Sequence, residues 1–533
     1  MIKLSENLRL REIFGGERPF ATGVELVSTR GTMGDQQAIR VRAFGEALTH
    51  CDAVDWVSIT DNAGGNPQLA PVALGTPILY GGKEVVVHLT CKDLNRHGLE
   101  SELWMLASQG FHNILAMTGD FPGASYAGKA KPVFDMDSVG LLGLIQGMNK
   151  GLARSGVVAK QSPTIGETDF YSGTVTNCFK AEENTLLPQY AKLEKKIASG
   201  ANFIINQIGF DSRKASELIA YLRWRGFTDL PLIGNVYLLS PFVARLFHQQ
   251  GIPGVVLSDA LLESCDKQAG SPDKGQAFFQ EFAAKQIAVY RGLGYGGAYL
   301  GGAHRMAEVE AVLNIERSFS PDDWRAFAKE IAFARQNEFY LFEEMEETGL
   351  SLQGALNPDW LKSVETKERT ANVNPLYTLS KACHSLMFEE GKRLAPLGKK
   401  LCQGAADSRH GPAWLRMLER ISKSALYDCR DCGDCSLAET AFLCPESQCA
   451  KNQRNGPCGG TRNGRCEVFD YECIWSRVYD RMKAEGRTNE LLAHAPVVQD
   501  QGLRNTSAWA NFWLGRDHAS KNNSHNPKSK NEY

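Results

Sequence analysis

The chain has 533 residues, and its 59 Lys+Arg against 61 Asp+Glu leave a net charge of −2. That length exceeds one ordinary domain, and that balance offers no general electrostatic pull toward nucleic acid or an anionic membrane. At 43% hydrophobic and 23% charged residues the composition is globular, with no run near the roughly 20 apolar residues of a membrane span.

The opening, MIKLSENLRLREIF, lacks the apolar region of a secretory signal, so a cytoplasmic protein is expected. Over the first three hundred residues β-rich runs appear at 23–28, 56–60, 85–89, 113–117, 171–176, 203–208, 232–236 and 298–301. Several are almost continuously apolar, as strands buried on both faces should be. Segments of helical spacing lie between them, among them 36–50, 183–199 and 213–225. Eight such units at a spacing of about thirty residues predict an α/β fold of the (β/α)8 TIM-barrel type. The run 255–257 is a ninth candidate strand, and no G-x-G-x-x-G follows the first strand, which weakens a dinucleotide-binding alternative.

Beyond the eighth strand, Ser320-Pro321-Asp322-Asp323 predicts a helix start. Trp324, Phe327, Ala328 and Ile331 follow at helical spacing and run into an acidic end at 343–347. Mostly helices are expected from there to about Leu426. The resulting division is a barrel over 1–318, a helical connector over 319–420, a small Cys-rich metal-binding domain over 421–486, and an extension over 487–533. The polar tail from about 518 is expected to be disordered.

Eight of the 14 cysteines, Cys429, Cys432, Cys435, Cys444, Cys449, Cys458, Cys466 and Cys473, fall in one short segment. In a reducing compartment such a cluster holds metal rather than disulfides. Cys429-x2-Cys432-x2-Cys435 places three thiolates on one tight loop, as iron–sulfur ligation does, and Cys444-Pro445 resembles the Cys-Pro that closes such a set. Eight thiolates allow two sets of four. Iron–sulfur and a structural zinc are both open on this pattern.

Barrel enzymes carry their chemistry at the carboxyl ends of the strands. Those ends hold Glu25, Thr60, His88, Asp120, Asn177 and Gln207. Glu25 is the one carboxyl in an apolar first strand, where desolvation would raise its pKa and suit it to general acid work; an internal ion pair is the ordinary alternative. Asp120 has a turn or cap as its alternative, His88 a satisfied core position, and Gln207 a polar plug.

Taken in order, GVELVSTRG, WVSITDN, VVVHLTC, MTGDFP, KPVFDMDSV, LEKKIASGANFIINQIGFD and LIGNV resemble the strand-end motifs of the methylenetetrahydrofolate reductase family, over about Phe20 to Arg305. The stretch from about Met387 to Gly486, with CRDCGDCSLAETAFLCPESQC and KNQRNGPCGGTRNG, resembles the cysteine-rich C-terminal domain of some bacterial reductases and the iron–sulfur small subunit of acetogen enzymes. The resemblance implies a flavoenzyme, with FAD ahead of FMN, that interconverts 5,10-methylenetetrahydrofolate and 5-methyltetrahydrofolate in one-carbon metabolism. Hydride then passes between flavin N5 and the folate's exocyclic carbon after the folate opens to an iminium.

On that resemblance Glu25 is the acid that protonates N10, Asp120 lies beside flavin and pterin, and Gln207 binds folate. Thr60, His88, Gly119, Asp120, Asn177, Lys195 and Lys196 fall in the cofactor set. The eight cysteines hold [4Fe-4S] clusters, with zinc as the alternative. Thr118 replaces an arginine of the family pattern, Asn177-Cys178-Phe179 replace Tyr-Pro-Glu, and Ile208-Gly209 replace Phe-Phe, which puts the hold on the flavin's sugar-phosphate in doubt. The electron donor is a redox partner protein or NAD(P)H, and a homo-oligomer is compatible with the reading. The alternatives are a folate- or corrinoid-linked methyltransferase on the same barrel, and a non-catalytic protein that docks redox partners.

Overall fold

A computed structural model describes residues 8–153, 164–249, 251–367, 370–389, 395–403 and 412–523. Eight parallel strands close into a barrel: β1 (Ala21–Leu26), β2 (Trp56–Ile59), β3 (Glu84–Thr90), β4 (Asn113–Met117), β5 (Tyr171–Thr176), β6 (Phe203–Asn206), β7 (Leu232–Tyr237) and β8 (Gly297–Gly301). Each pairs with its sequence neighbours, and β8 returns to β1 with Ala21 opposite Gly297. The expected TIM barrel is present. The run 255–257 is not a strand; it lies in a connection between the helices Pro241–His248 and Asp259–Ala269.

Two apolar layers hold the barrel. Inside it, Trp56, Val86, Leu115, Phe203, Ile233 and Tyr299 pack together. Leu10, Ile13 and Phe14 plug its amino-terminal end, the Phe14 ring meeting Trp56 and Phe203 edge-on with centroids 6.1 and 5.3 Å apart. Outside, the strands' other faces pack against the helices. The carboxyl ends are thus the open end of a filled barrel. Among the described residues no helix is long and apolar enough to cross a membrane.

The segment after the barrel departs from the expected run of helices. The helix Trp324–Glu330 ends where buried Ile331 turns to dock, its carbonyl accepting from Ser212 N at 2.8 Å. The acidic run 343–347 then lies in an antiparallel hairpin, Phe342–Met345 with Leu350–Leu356, closed by a turn at Gly349. Phe342 and Leu350 are buried while Glu343 and Glu344 are exposed in succession at a register shift between Phe342 and Glu344, so the buried anchors hold a hairpin with an irregular edge in place of the expected helix. The boundary expected at 420/421 falls inside one helix, Ala413–Tyr427. The extension is integral to the cysteine-rich region: Asn511 Nδ2 donates to Gly433 O at 2.8 Å. His518, expected in a disordered tail, is buried with Nδ1 2.6 Å from Asp434 Oδ1 and begins a helix, His518–Asn523; residues 524–533 lie outside the described residues.

The cysteine-rich region docks on the barrel through the helix Glu183–Ala198, against which the helices Ile474–Lys483 and Glu490–Ala493 pack. Asp137 is central to this junction. It caps the helix Ser138–Asn149, accepting from Val139 N and Gly140 N at 3.0 and 3.2 Å. It also accepts from Asn455 Nδ2 at 3.0 Å and lies 3.4 Å from Lys192 Nζ, with all three residues buried. Burial alone would raise its pKa, but Lys192 and the bonds from Asn455 and Gly140 hold it below the usual carboxylate range. Asp137→Ala removes the cap and leaves Lys192 without its carboxylate. A loss of roughly 3–5 kcal/mol is expected, measurable as a lowered denaturant midpoint; an unchanged midpoint would contradict this role.

Candidate functional site

The open end of the barrel forms a cavity of about 270 Å³. Its walls include Glu25, Thr60, His88, Gly119, Asp120, Asn177, Lys196 and Gln207, so eight of the nine barrel residues expected from the sequence converge on one space. Lys195 does not line it. That lysine faces the cysteine-rich side, where Nζ lies 2.7 Å from His494 Nε2.

Glu25 leaves β1 deep in the cavity. Its Oε1 accepts from Tyr299 OH at 3.1 Å, and Tyr299 is fixed by stacking on Trp56 at 5.3 Å. A Cβ at Gly301 would lie 2.8 Å from Glu25 Oε2, so the glycine leaves room for the carboxyl. Among the described residues no cation pairs with Glu25, and burial raises its pKa against the weaker opposing bond from Tyr299. The ion-pair alternative is not what the structure shows. His88 is buried with Nε2 2.6 Å from Ser58 Oγ, and burial lowers its pKa to about 4, so the ring is neutral. Thr60 Oγ1 accepts from Ser28 N at 3.1 Å. Gln207 Oε1 accepts from Ile208 N at 2.9 Å, which turns its amide NH2 toward other partners.

Asp120 follows β4 by three residues. Its Oδ2 accepts from Gly64 N at 3.1 Å, and burial raises its pKa although Lys451 opposes that shift. Lys451 comes from the cysteine-rich region. It donates to Gly119 O at 2.8 Å and pairs with Glu467, and both residues line the cavity. Sequence reasoning missed these two, because nothing local signals a contact across 332 positions. It also missed Lys92 and Lys192, which line the cavity with Lys196. Lys192 stands one turn before Lys196 on the same helix face, a signal that was available. Lys196 donates to Val175 O at 2.5 Å, and burial with Lys192 nearby lowers its pKa to about 7.

The departures from the family pattern sit where the cysteine-rich region closes the mouth. Thr118 Oγ1 lies 3.2 Å from Gln453 Oε1. Asn177 Nδ2 donates to Gly254 O at 2.8 Å and Gly459 O at 3.1 Å while its Oδ1 accepts from Phe179 N, so its amide is committed to protein contacts. A Cβ at Gly209 would fall 2.2 Å from the Phe179 ring, so these two changes compensate. Lys180 Nζ donates to Gly459 O at 2.6 Å, and Gln189 Nε2 to Cys458 O at 2.6 Å.

The eight thiols sort in sequence order into two sets. Cys429, Cys432, Cys435 and Cys444 line one small cavity with Lys423 and Arg454. Cys449, Cys458, Cys466 and Cys473 line another with Lys451, Glu467 and Trp475. Among the described residues no three His, Cys, Asp or Glu side chains converge as ligands of a single ion. The donor chemistry nonetheless fits thiolate-bound metal. Backbone N–H groups of Asp431, Gln453 and Val468 each donate to a cysteine sulfur at 3.4 Å, the outer-shell bonds that hold thiolates in place. Burial pushes the Cys449 thiol up to about 11, so metal binding there must displace protons. Cys458 lines both the second set and the barrel cavity.

Residues 37–287 match the family model described as methylenetetrahydrofolate reductase, and residues 413–501 match the one described as methylene-tetrahydrofolate reductase C terminal. The first match falls on the barrel and the second on the cysteine-rich region. Among solved structures, a Clostridium thermocellum protein that binds two copies of 5-methyl-5,6,7,8-tetrahydrofolic acid is 12% identical, with a TM-score of 0.40 over 56% of this chain and 94% of that one. An EDTA monooxygenase from Chelativorans sp. BNC1 is 10% identical, with a TM-score of 0.34 over 58% of this chain and 98% of that one. Neither likeness bears on the chemistry.

The raised pKa of Glu25 has a stability consequence. The folded chain holds this proton to higher pH than the unfolded chain does, so stability falls as pH rises above the ordinary glutamate value of about 4.3. Glu25→Gln is therefore expected to melt above wild type at neutral pH, with the difference vanishing below about pH 4. A variant that melts below wild type at neutral pH would show that Glu25 is held by a favourable ionic partner.

Proposed function

We propose that the protein is a flavin-dependent methylenetetrahydrofolate reductase that interconverts 5,10-methylenetetrahydrofolate and 5-methyltetrahydrofolate. The observation that carries this is Glu25, a carboxyl without a cationic partner among the described residues, in the same cavity as Asp120 and Gln207. That trio supports a reductase over a methyltransferase or a non-catalytic docking protein.

Flavin fits the residues of the cavity. Lys92, Lys192, Lys196 and Lys451 line it, and the Thr176 hydroxyl in its wall is buried without a partner among the described residues. Lysine ammoniums and a free hydroxyl suit phosphate oxygens, and an anion beside Lys196 would offset the burial that depresses its pKa. When bound, flavin supplies or accepts the hydride at the folate's one-carbon unit.

The chain's own residues do the rest. Glu25 stays protonated at a pH where an exposed glutamate would be ionised, and gives that proton to folate N10 as the ring opens. In the reverse direction its carboxylate takes the proton back. Asp120, set between Gly64 N and Lys451, places negative charge beside the cationic opened folate. The Gln207 amide donates to the pterin. The closing loop at 457–460 restricts water at the reacting carbon.

Iron–sulfur clusters fit both cysteine sets, and they supply single-electron transfer. Cys458 would place the second one in the wall of the flavin cavity, which favours a redox partner protein over NAD(P)H as donor.

Glu25→Gln should leave flavin binding and flavin reduction intact while lowering folate turnover by at least roughly 100-fold, the usual worth of a positioned general acid. Single-turnover kinetics separate the two steps, and wild-type folate turnover would remove Glu25 from the mechanism. Cys435→Ser should slow flavin reduction by the physiological donor and leave turnover from dithionite-reduced flavin largely intact, in protein that still folds. Iron and zinc assays on the anaerobically purified wild type decide the premise. Zinc without iron would discard the relay and return NAD(P)H as the direct donor.

A further inference from the structure

The cysteine-rich half holds a second cavity of about 260 Å³, which shares no lining residue with the barrel site. The helices Pro375–Phe388, Ala413–Tyr427 and Ala508–Trp513 line it with the loop 437–442, and it is open to solvent at Leu379 and Leu426. Its walls are aromatic. His384 stacks on Phe388 with centroids 5.2 Å apart, Phe388 meets Phe512 edge-on at 5.3 Å, and His384 meets Phe442 at 5.6 Å. Trp509 completes the ring set. Such walls offer faces and edges to one more planar ring. A cavity of about 150 Å³ suffices for benzene, so this one has room for two fused rings.

Its polar groups are specific. The Ser380 and Tyr427 hydroxyls bond to each other, and Lys423 Nζ donates to Glu419 Oε1 at 2.6 Å. Two groups remain unused. Glu439, in the wall, meets His518 Nε2 through Oε1 at 3.4 Å, while its Oε2 is buried with no partner among the described residues. His384 likewise has no hydrogen bond to a described residue, and burial lowers its pKa. An orphaned carboxylate oxygen can only accept, so a ligand that satisfies it must bring a donor.

We propose that this cavity binds a planar aromatic molecule of one or two rings bearing a phenolic hydroxyl, its ring held among Phe388, Phe442, Trp509 and Phe512 and its hydroxyl donated to Glu439. The cavity shares Lys423, Tyr427, Cys435 and Leu437 with the first cysteine set, so the bound ring lies against that set's wall. The proposal concerns binding alone and is independent of the barrel's reaction and of the metal the cysteines hold.

The test titrates the full chain, as purified with its metal, with 2-naphthol, which is planar, phenolic and unreactive toward thiols. Tryptophan fluorescence and calorimetry should report one site in the micromolar range. Ala438→Phe, which fills the cavity from its wall, should abolish binding. Glu439→Gln should weaken 2-naphthol about tenfold, the worth of a hydrogen bond to a charged group, and leave 2-methoxynaphthalene unchanged; the latter also confirms that the variant is folded. In wild type, 2-naphthol should slow maleimide alkylation of Cys383, which is exposed at the cavity wall, as read on its peptide by mass. Absence of binding below millimolar 2-naphthol, or binding and Cys383 protection that persist in Ala438→Phe, would overturn the proposal. Equal loss of both naphthalenes in Glu439→Gln would overturn the assignment of the hydroxyl.

Discussion

The architecture depends on one constraint: an ammonium group taken out of water must be bonded, or the burial is prohibitively costly. Lys180, Lys192 and Lys451 are all buried at the barrel mouth. Their partners come from across the domain junction: Gly459 O for Lys180, Gln453 Oε1 and Gly456 O for Lys192, and Gly119 O for Lys451. Lys192 and Lys451 each also have a carboxylate in their own domain, Asp137 and Glu467, and the remaining bonds cross the junction. These hydrogen bonds act together with an apolar core that runs across the junction, where Ile474, Trp475 and Val478 join the barrel cluster, and the junction closes the end of the barrel that holds Glu25, Asp120 and Gln207. Lys192 serves twice, through Asp137 for the junction and through its place in the cavity wall for the site.

The same junction brings the second set of cysteine sulfurs to the barrel mouth. The loop carrying Cys458 hands its carbonyl to Gln189, and Glu467 stands in the walls of both the barrel cavity and the second cysteine set. The second cysteine set and the barrel cavity thus share Lys451, Cys458 and Glu467 as wall residues.

Much of this was legible in the sequence, for identifiable reasons. Several strands buried on both faces are apolar runs, and the recurring spacing of about thirty residues placed the rest, including Tyr171–Thr176 with its serine and threonines; a carboxyl inside such a run marks Glu25 because burial there needs a use. The eight thiols sort in chain order, Cys429 to Cys444 and Cys449 to Cys473, which keeps each set on its own stretch of loop. What escaped is long-range. Asn177 and Thr118 look like changes in a cofactor cradle until Gly459 and Gln453 are seen against them. Lys195 looks paired with Lys196, yet adjacent helix residues diverge by about 100°, and only one reaches the cavity. The hairpin at 342–356 was hidden because its exposed edge is written in helix-forming glutamates.

The central claim is that this closed barrel mouth moves a hydride between flavin and the one-carbon unit of folate. It is tested most directly by adding 5-methyltetrahydrofolate to the oxidised, flavin-loaded protein under anaerobic conditions and following the flavin's visible absorbance. The account predicts bleaching in proportion to the folate added, with 5,10-methylenetetrahydrofolate as the product. A flavin that stays oxidised with excess 5-methyltetrahydrofolate, or a purified protein that binds no flavin, would contradict it.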